Sequence, residues 1–329
     1  MSEDRTLEEP EQRPIRWGIL ATGQIARNFA DDLSLLPDAE LSAVGSRSHQ
    51  GAETFAHQHG VRRAYGSYEQ LAADAELDVV YVATPHSRHA EDVMTCFEAG
   101  KSVLCEKALT LDADTSAELV GEARARGLFF AEAMWMRTIP AIRKAVTMAQ
   151  EGHCGHLRQV RADLGFMAPY DPTSRLWDPA LGASALLDVG IYPLTLAHLV
   201  LGPPLDVSAA AVVSQAGADI NGGATLTYAS GAVASLSWTQ TACSPAGASI
   251  AGDTGRIELP TRFHHCESFS YVDADQVRTF SEPISGRGYV HEAQEVHRCL
   301  REGLTESGLL PLDETVDIMR VMDRIRACF

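Results

Sequence analysis

The sequence has 329 residues, enough for about two domains of ordinary size, and its 45% hydrophobic and 22% charged residues are typical of globular proteins rather than disordered ones. A formal net charge of −17 without a compensating basic run argues against nucleic acid as a partner, because phosphates would be repelled. The most hydrophobic stretch, Ala185 to Leu201, is interrupted by Asp188, Pro193 and His198 and falls short of the ~20 apolar residues that a membrane helix needs.

The first 14 residues are polar and acidic, and we interpret them as a solvated tail without a secretory signal. Seven cysteines are scattered without a Cys-x-x-Cys pair, which favours reduced thiols and a cytoplasmic location over a disulfide framework. Two short clusters, His153–His156 and His264–Cys266, contain metal-binding residue types, but neither spacing places ligands tetrahedrally. We predict no metal site and interpret both clusters as polar loop residues.

From residue 15 to residue 133, apolar runs alternate with segments of helical periodicity. The predicted strands are Ile15–Leu20, Leu41–Ser46, Asp78–Thr84, Ser102–Cys105 and Leu128–Ala131, and the predicted helices are Gln24–Leu36, Ala52–His59, His89–Ala99 and Asp112–Arg126. This alternation is typical of βαβ units and a parallel sheet. We therefore predict an α/β fold in which residues 15–133 form a Rossmann dinucleotide-binding domain.

After residue 134 the pattern changes to strands that follow strands. The predicted helices are Ala141–Glu151, Val290–Glu302 and Asp313–Cys328, the predicted strands include His156–Phe166, Ala224–Tyr228, Val233–Thr239, Ser249–Ala251, Arg256–Leu259 and Val277–Phe280, and a long loop (Ala168–Gly182) precedes the apolar segment Ser184–Leu201. Gly, Asn and Ser residues separate the strands, as turns require. We predict that residues 134–329 form an α+β domain with a mostly antiparallel open sheet, which binds substrate and mediates oligomerisation.

Small residues follow the first strand in the segment Ala21-Thr22-Gly23-Gln24-Ile25-Ala26. A dinucleotide fold needs them there, because the backbone must approach the pyrophosphate and the helix N-terminus must face it. The usual Gly-x-Gly-x-x-Gly is present as Ala-x-Gly-x-x-Ala, so the prediction depends on the position of the motif between a strand and a helix. A tight turn without function is the alternative.

The second strand ends in Gly45-Ser46-Arg47-Ser48. Enzymes that select NAD carry an acid at this point to bind the ribose 2′-hydroxyl, and none is present. A guanidinium binds phosphate oxygens in a fork, so Ser46 and Arg47 favour NADP as cofactor, with NAD possible. The alternative is an ordinary surface arginine.

Two further pairs of residues suggest chemistry. Glu106 and Lys107 follow a predicted strand at the carboxyl edge of the sheet, where open α/β sheets bind ligands, although an exposed loop salt bridge has the same sequence. Asp188 and Tyr192 are four residues apart and share one face of a helix. A buried structural pair is the alternative there, and Pro193 complicates the helix.

Taken together, these segments resemble the Gfo/Idh/MocA oxidoreductase family, and within it the branch of dimeric dihydrodiol dehydrogenases and NADP-dependent D-xylose dehydrogenases. The resemblance rests on residues 17–26, 83–89 (ATPHSRH), 105–107 (CEK), 131–137 (AEAMWMR), 186–192 (LLDVGIY) and 292–312. It implies a homodimer or homotetramer and a polyhydroxylated small-molecule substrate, with no nucleic acid or membrane as partner.

The resemblance also implies roles for individual residues. Lys107, Tyr192 and Asp188 match the catalytic positions, and Arg137 matches an arginine near the substrate cleft, which Trp135 and Trp177 are also expected to line. The residues implied to line the cofactor are Ala21, Thr22, Gly23, Gln24, Ile25, Ser46, Arg47, Thr84, Pro85, His86, His89, Glu106 and Lys107. Ala108 departs from the family's proline, so we expect Lys107 to be held less firmly.

These residue types predict hydride transfer between a nicotinamide cofactor and a CH–OH or C=O group of a sugar, ketosugar or vicinal diol. A phenol with a pKa of about 10 is a poor base at neutral pH, and we expect the ammonium of Lys107 to lower the pKa of Tyr192. Which of the two groups transfers the proton is left open. A sugar ketoreductase of a biosynthetic pathway and a non-catalytic NADP-binding regulator with the same fold remain alternatives.

Overall fold

The computed structural model describes residues 13–329, so residues 1–12 of the predicted tail lie outside the described residues. The strands are β1 (Ile15–Leu20), β2 (Ala39–Gly45), β3 (Arg63–Tyr65), β4 (Val79–Val82), β5 (Ser102–Glu106), β6 (Phe130–Ala133), β7 (Leu157–Gly165), β8 (Asp206–Val213), β9 (Asp219–Thr227), β10 (Val233–Thr239), β11 (Ala248–Gly252), β12 (Gly255–Leu259), β13 (Ser268–Asp273) and β14 (Val277–Ser281). The α-helices are α1 (Gln24–Leu33), α2 (His49–His59), α3 (Tyr68–Ala72), α4 (His89–Glu98), α5 (Ala113–Arg126), α6 (Pro140–Gln150), α7 (Ile191–Leu201), α8 (Tyr289–Arg301) and α9 (Leu312–Arg326).

The first sheet is six-stranded and parallel, in the order β3-β2-β1-β4-β5-β6. This is the strand order of a Rossmann fold, and the order reverses between β1 and β4. Every residue of β4 is buried, as expected of a central strand covered by helices on both faces. The predicted parallel α/β domain is confirmed, and its carboxyl edge beside β1 and β4 is where a ligand is expected.

The second sheet is eight-stranded, in the order β14-β13-β12-β11-β7-β10-β9-β8. Only β7 and β10 pair in parallel; the other neighbours are antiparallel. Along β10, buried and exposed residues alternate, because α7 covers one face of the sheet while the other stays open. The predicted mostly antiparallel open sheet is confirmed.

Several elements were not predicted or begin earlier than predicted. The strand β3 has three residues and the helix α3 has five, too few to produce a periodic pattern. The strand β9 begins at Asp219 rather than Ala224, and its first half contains Gly222, where an added Cβ would lie 2.5 Å from the ring of Trp238. Glycine is needed there for close packing, and it conceals the strand in the sequence.

The C-terminal helices return to the first sheet. The indole Nε1 of Trp17 on β1 donates to Nε2 of His297 on α8 at 2.9 Å, and Nδ1 of His297 lies 3.1 Å from the carboxylate of Asp38. The carboxylate of Asp32 on α1 accepts from the backbone N–H of Tyr289, at the start of α8. These bonds link the beginning and the end of the chain, while the boundary at residue 133 stays a prediction.

The segment 179–201 has the length and apolarity of a membrane span by composition, and it includes α7. Within its most apolar window 78% is buried inside the protein. Such burial is equally typical of a helix in a protein core, and here α7 lies against β7 and β10.

Candidate active site

A cavity of about 820 Å³ opens at the carboxyl edge of the first sheet and extends to α7 and the second sheet. All the residues predicted to bind the cofactor line it. We call the part formed by residues 21–25, Ser46 and Arg47 the motif end, and the part formed by Lys107, Trp135, Asp188, Tyr192 and His264 the tyrosine end.

At the motif end, the N-terminus of α1 faces the cavity. Gly23 is the N-cap, no side chain caps the helix, and its first turn contains no acid, so the backbone N–H groups are available to an anion. A Cβ placed on Gly23 would have nothing within 4 Å, which leaves the backbone open to a ligand. Ala21 has a φ of +92°, a conformation that favours glycine, so its methyl group strains the turn.

Arg47 lies exposed beyond the end of β2, on the rim of the cavity. Ser46 lies beside it, and its backbone N–H bonds to the carbonyl of Tyr65 at 3.1 Å. The hydroxyl of Thr84, on the loop after β4, is buried in the cavity wall without a partner among residues 13–329. Uncapped amides, a hydroxyl and a guanidinium are groups that bind the phosphates of a dinucleotide.

Two histidines hold the loop that carries Lys107. Nε2 of His86 lies 3.1 Å from the carbonyl of Lys107, and Nδ1 of His89 lies 3.0 Å from the carbonyl of Ala108. Burial lowers the pKa of His86 to about 3, so this ring is neutral at pH 7 and donates to only one of its two neighbouring carbonyls. The two histidines therefore support the loop at two carbonyls, and the weaker hold expected from Ala108 in place of proline stays a prediction.

The ammonium of Lys107 is held by the residue predicted to act with it. Its Nζ donates to the backbone carbonyl of Asp188 at 2.7 Å and lies 3.4 Å from the carboxylate Oδ1. The guanidinium of Arg175 contacts the same Oδ1 at 2.8 Å. Burial alone would raise the pKa of Asp188, but the charges of Lys107 and Arg175 lower it below its usual range. Asp188 is therefore a charged group shared by two cations.

The helix around Asp188 explains why its carbonyl is free. Residues Leu186–Gly190 form a π-helical turn, in which the N–H of Ile191 bonds to the carbonyl of Leu186, five residues earlier. In this register residue 193 would donate to Asp188, but Pro193 has no N–H. The carbonyl of Asp188 accepts from Lys107 instead. Because Pro193 cannot donate to the carbonyl of Asp188, this carbonyl remains available as an acceptor for Lys107.

Tyr192 lies buried beside Lys107. Nε1 of Trp135 donates to its hydroxyl oxygen at 2.8 Å, and Nζ of Lys107 lies 5.0 Å from the centre of its ring. Burial raises the pKa of Tyr192 well above 10, and the charge of Glu106 raises it further. The expectation that Lys107 lowers this pKa is wrong, because the ammonium faces the ring and bonds to Asp188 rather than to the phenol oxygen. Tyr192 is therefore a neutral phenol whose proton is free to be donated.

The carboxyl group of Glu106 is hydrogen-bonded to other residues of the protein. It is buried, it accepts hydrogen bonds from the hydroxyl of Tyr81 and from the backbone N–H of Lys107, and burial raises its pKa. The ring of Tyr81 stacks on Phe29 of α1 at 3.9 Å. Glu106 thus lines the cavity while its carboxyl group bonds to the protein, which connects α1 to the loop of Lys107.

Two predicted substrate residues are not brought to the cavity. Arg137 donates from Nε to the carbonyl of Leu309 at 2.9 Å and pairs with Glu314 on α9. It shares a short 3₁₀ turn with Trp135 but points away from the cavity, because successive side chains of such a turn diverge. The indole of Trp177 packs on Tyr170 at 5.0 Å and donates to the carbonyl of Pro169, so it stabilises its own loop.

Arg175 lines the cavity from the long loop, which we expected to border the substrate cleft. Other lining residues were not predicted, among them His264 from a 3₁₀ turn before β13 and Tyr289 from the start of α8. His264 belongs to a cluster that we interpreted as polar loop residues, yet its ring lies 4.9 Å from that of Tyr192. The only sequence signal for it is a histidine pair next to a cysteine, which has no motif spacing. Within residues 13–329, no group of three or more His, Cys, Asp or Glu side chains converges as a metal site requires.

Known proteins are similar to this chain over most of its length. Residues 15–133 match the oxidoreductase family with an NAD-binding Rossmann fold, and residues 142–258 match the Gfo/Idh/MocA C-terminal domain. The trans-1,2-dihydrobenzene-1,2-diol dehydrogenase of Mus musculus is 34% identical over 324 residues, 95% of this chain and 96% of its own. The Bos taurus enzyme of the same name is 35% identical over 326 residues, again 95% of this chain and 96% of its own.

Solved structures of other oxidoreductases have a similar overall fold. A 3-ketoreductase from Actinomadura kijaniata, in complex with NADP and TDP-benzene, superposes with a TM-score of 0.87 and 26% identity, over 96% of this chain and 98% of that chain. An aldose-aldose oxidoreductase from Caulobacter crescentus, complexed with glycerol, has a TM-score of 0.87 at 21% identity over 96% and 97% of the two chains, which shows the shared fold alone.

A Rossmann sheet, an uncapped helix N-terminus and an adjoining lysine–aspartate–tyrosine group define a nicotinamide-dependent oxidoreductase. The matches extend over both predicted domains and 95% of the chain. The protein belongs to the Gfo/Idh/MocA family of oxidoreductases.

Proposed function

We propose that this protein is an NADP-preferring dehydrogenase or reductase that acts on a CH–OH or C=O group of a sugar, ketosugar or vicinal diol. The observation that carries the proposal is the single cavity that joins the uncapped N-terminus of α1 and Arg47 to Lys107, Asp188 and Tyr192. The names of the relatives, dehydrogenases of a vicinal diol and a ketoreductase, support this substrate class.

The motif end would hold the cofactor. The backbone N–H groups of residues 23–25 would bind the pyrophosphate, and Arg47 with Ser46 would bind a ribose 2′-phosphate. The nicotinamide supplies or accepts the hydride when it is bound. Thr84 and Pro85 would line its inner part, and the Rossmann topology puts the pocket at the carboxyl edge that these residues border.

The tyrosine end would handle the oxygen of the reacting carbon. Tyr192, whose high pKa keeps it protonated, would donate a hydrogen bond and then the proton to a carbonyl oxygen as charge develops on it during reduction. Trp135 would stabilise the phenolate that forms, because its N–H already points at the phenol oxygen. Lys107, held by Asp188, would contribute positive charge to the same region. In the oxidative direction the same groups act in reverse.

A sugar ketoreductase with a nucleotide-linked substrate is the second candidate. It is favoured by the similarity to a 3-ketoreductase in complex with TDP-benzene and by the half-exposed guanidinium of Arg175 at the cavity, which suits a phosphate group. A non-catalytic regulator would need to bind the dinucleotide but would not need Lys107, Asp188 and Tyr192 to converge.

A spectrophotometric screen tests the proposal. Purified protein is mixed with NADPH or NADH and free or nucleotide-linked ketosugars, or with the oxidised cofactors and sugars or vicinal diols, and absorbance at the nicotinamide band is followed. We expect turnover of at least one sugar or vicinal diol, faster with the phosphorylated cofactor. NADPH binding without any turnover would favour the regulator, and turnover confined to nucleotide-linked ketosugars would favour the second candidate.

We also propose a homodimer or homotetramer that forms through the open face of the second sheet, in the cytoplasm. Small and polar residues such as Ser235 and Ser237 are exposed on that face, and the seven cysteines are all unpaired, which supports a reducing compartment. Light scattering after size exclusion is expected to give twice or four times the chain mass. Ser235→Arg is expected to lower it, whereas Ser230→Arg, in an exposed turn, leaves it unchanged; a wild-type monomer would refute the assembly.

A further inference from the structure

His264 lies in the wall of the tyrosine end without being part of any predicted motif. It belongs to a short turn that is anchored by Phe263, a fully buried residue of the core. Its ring lies 4.9 Å from the ring of Tyr192 and 5.7 Å from that of Trp135. The turn therefore presents an imidazole directly beside the phenol that is proposed to hold the reacting oxygen.

The protein does not use this imidazole for its own hydrogen bonds. Nδ1 is enclosed without a partner among residues 13–329, whereas Nε2 stays accessible, and the ring forms no bond to those residues. His86 and His89, in the same cavity wall, each contact backbone carbonyls. The enclosed Nδ1 costs about 1–3 kcal/mol and is out of a ligand's reach, whereas the accessible Nε2 is left for a ligand in the cavity.

The imidazole of His264 is neutral, and a neutral imidazole is suited to binding a hydroxyl group. Burial, and to a smaller extent the neighbouring His265, Arg262 and Lys107, lower the pKa of His264 to about 3. In a neutral imidazole Nε2 is a donor in one tautomer and an acceptor in the other, so it can bind a hydroxyl in either orientation. A charged imidazolium would instead select an anion.

We propose that His264 is a specificity-determining residue, which binds a second hydroxyl group on the carbon next to the one that exchanges hydride. The inference rests on the proposed function, because Tyr192 is taken to bind the reacting oxygen. The ring centres of Tyr192 and His264 lie 4.9 Å apart, a spacing that suits the two neighbouring oxygens of a vicinal diol. The residue selects vicinal diols and α-hydroxy ketones over alcohols and ketones that lack the second hydroxyl.

The test compares matched substrates in matched variants. The kcat/KM values for trans-1,2-cyclohexanediol and cyclohexanol, and for 2-hydroxycyclohexanone and cyclohexanone, are measured with wild type and with His264→Phe, which keeps the planar ring and removes both nitrogens. His265→Phe is the control, because His265 contacts Trp135 at 5.3 Å but is not in the cavity lining.

We expect wild type to prefer the hydroxylated member of each pair, and His264→Phe to reduce that preference about 10- to 100-fold, the effect of one buried hydrogen bond. The rate with the compound that lacks the second hydroxyl should change less than about 3-fold, since ring packing is kept. His264→Asn, which restores a donor and an acceptor, is expected to recover part of the preference, and His265→Phe should keep all of it.

Equal loss with both members of a pair would show that His264 only packs against Tyr192, and an unchanged preference would show that it does not bind the hydroxyl; either outcome overturns the inference while the proposed function stands. Wild type that turns over sugars or ketosugars in the screen but neither member of these pairs overturns this inference alone, whereas wild type that turns over no compound in the screen refutes the proposed function and this inference with it. If His264→Phe does not fold, His264→Leu, which also lacks both nitrogens, gives the same comparison.

Discussion

The two ends of the cavity are built in different ways. The motif end consists mainly of consecutive residues at one turn, and it offers backbone N–H groups and one exposed guanidinium. The tyrosine end combines side chains from the loop after β5, the turn after β6, the π-turn before α7, α7 itself and a turn before β13. Its charged and aromatic groups contact one another, as in the contact of Lys107 with Asp188 and that of Trp135 with Tyr192.

This difference separates the binding of the cofactor's phosphates, at the motif end, from the reaction of the substrate, at the tyrosine end. Backbone amides recognise a phosphate group in any dinucleotide, so the motif end needs only the right backbone. The tyrosine end depends on the mutual orientation of distant side chains, so one substitution there removes a function without removing the fold. The two ends should therefore respond to mutation independently, and the predictions below test that independence.

The largest effect is expected at the tyrosine end. Tyr192→Phe removes the proposed proton donor and Lys107→Met removes the ammonium, and each is expected to reduce kcat about 100-fold or more while NADPH still binds. Turnover is measured by absorbance, and NADPH binding by fluorescence titration. Tyr228→Phe is the control for the first variant, because it removes a buried hydroxyl without a partner among residues 13–329. Near-normal turnover in either variant, or lost NADPH binding in both, would refute this division.

A smaller effect is expected from the motif end. Arg47→Ala removes the proposed partner of the 2′-phosphate, so the KM for NADPH should rise about 10- to 100-fold while the KM for NADH and kcat stay nearly constant. Arg62→Ala is the control, since Arg62 is exposed and pairs with Glu40 outside the cavity. Steady-state kinetics with both cofactors check the result, and equal changes in the two KM values would contradict the assignment.

The third prediction concerns His86, whose ring supports the loop of Lys107. Its ring is neutral in the native state because its pKa lies at about 3, below the unfolded value of 6.5, so the unfolded chain binds one more proton as the pH falls below about 6.5. The stability that His86 contributes over His86→Asn is therefore complete above about pH 7 and falls by up to about 1.4 kcal/mol per pH unit below 6.5. Urea unfolding of both proteins at pH 7.5, 6 and 5 measures this difference, and a constant difference would show that the ring titrates normally.

The smallest effect is expected at the first position of the motif. Ala21→Gly removes the methyl group from a residue with a φ of +92° and should raise the free energy of unfolding by about 1 kcal/mol. Ala26→Gly makes the same chemical change inside α1, where it should lower this free energy by about 1 kcal/mol. Denaturant unfolding checks both, and a loss of stability in Ala21→Gly would show that the turn is not strained.

The sequence alone determined the elements that depend on local pattern. The parallel first sheet, the change to an antiparallel second sheet and most helices follow from periodicity and turn residues. The motif end follows because its residues are consecutive and sit at a turn between a strand and a helix. Position in the sequence singled out Lys107, Asp188 and Tyr192, and the resemblance to a family gave them catalytic roles; that they converge in one cavity was shown only by the structure.

Tertiary structure decided the rest, because burial and side-chain direction depend on residues far apart in the chain. It turned Arg137 toward α9 and away from the cavity, and it brought His264 beside Tyr192. It placed Lys107 where it donates to the carbonyl of Asp188, which Pro193 cannot reach with an N–H of its own. It also reversed the expected shift of the pKa of Tyr192, since burial outweighs a nearby ammonium that bonds elsewhere. Local backbone structure depends on neighbouring residues and can be predicted from them. The pKa values of a site depend on burial, which arises only when segments far apart in the chain pack together and exclude water.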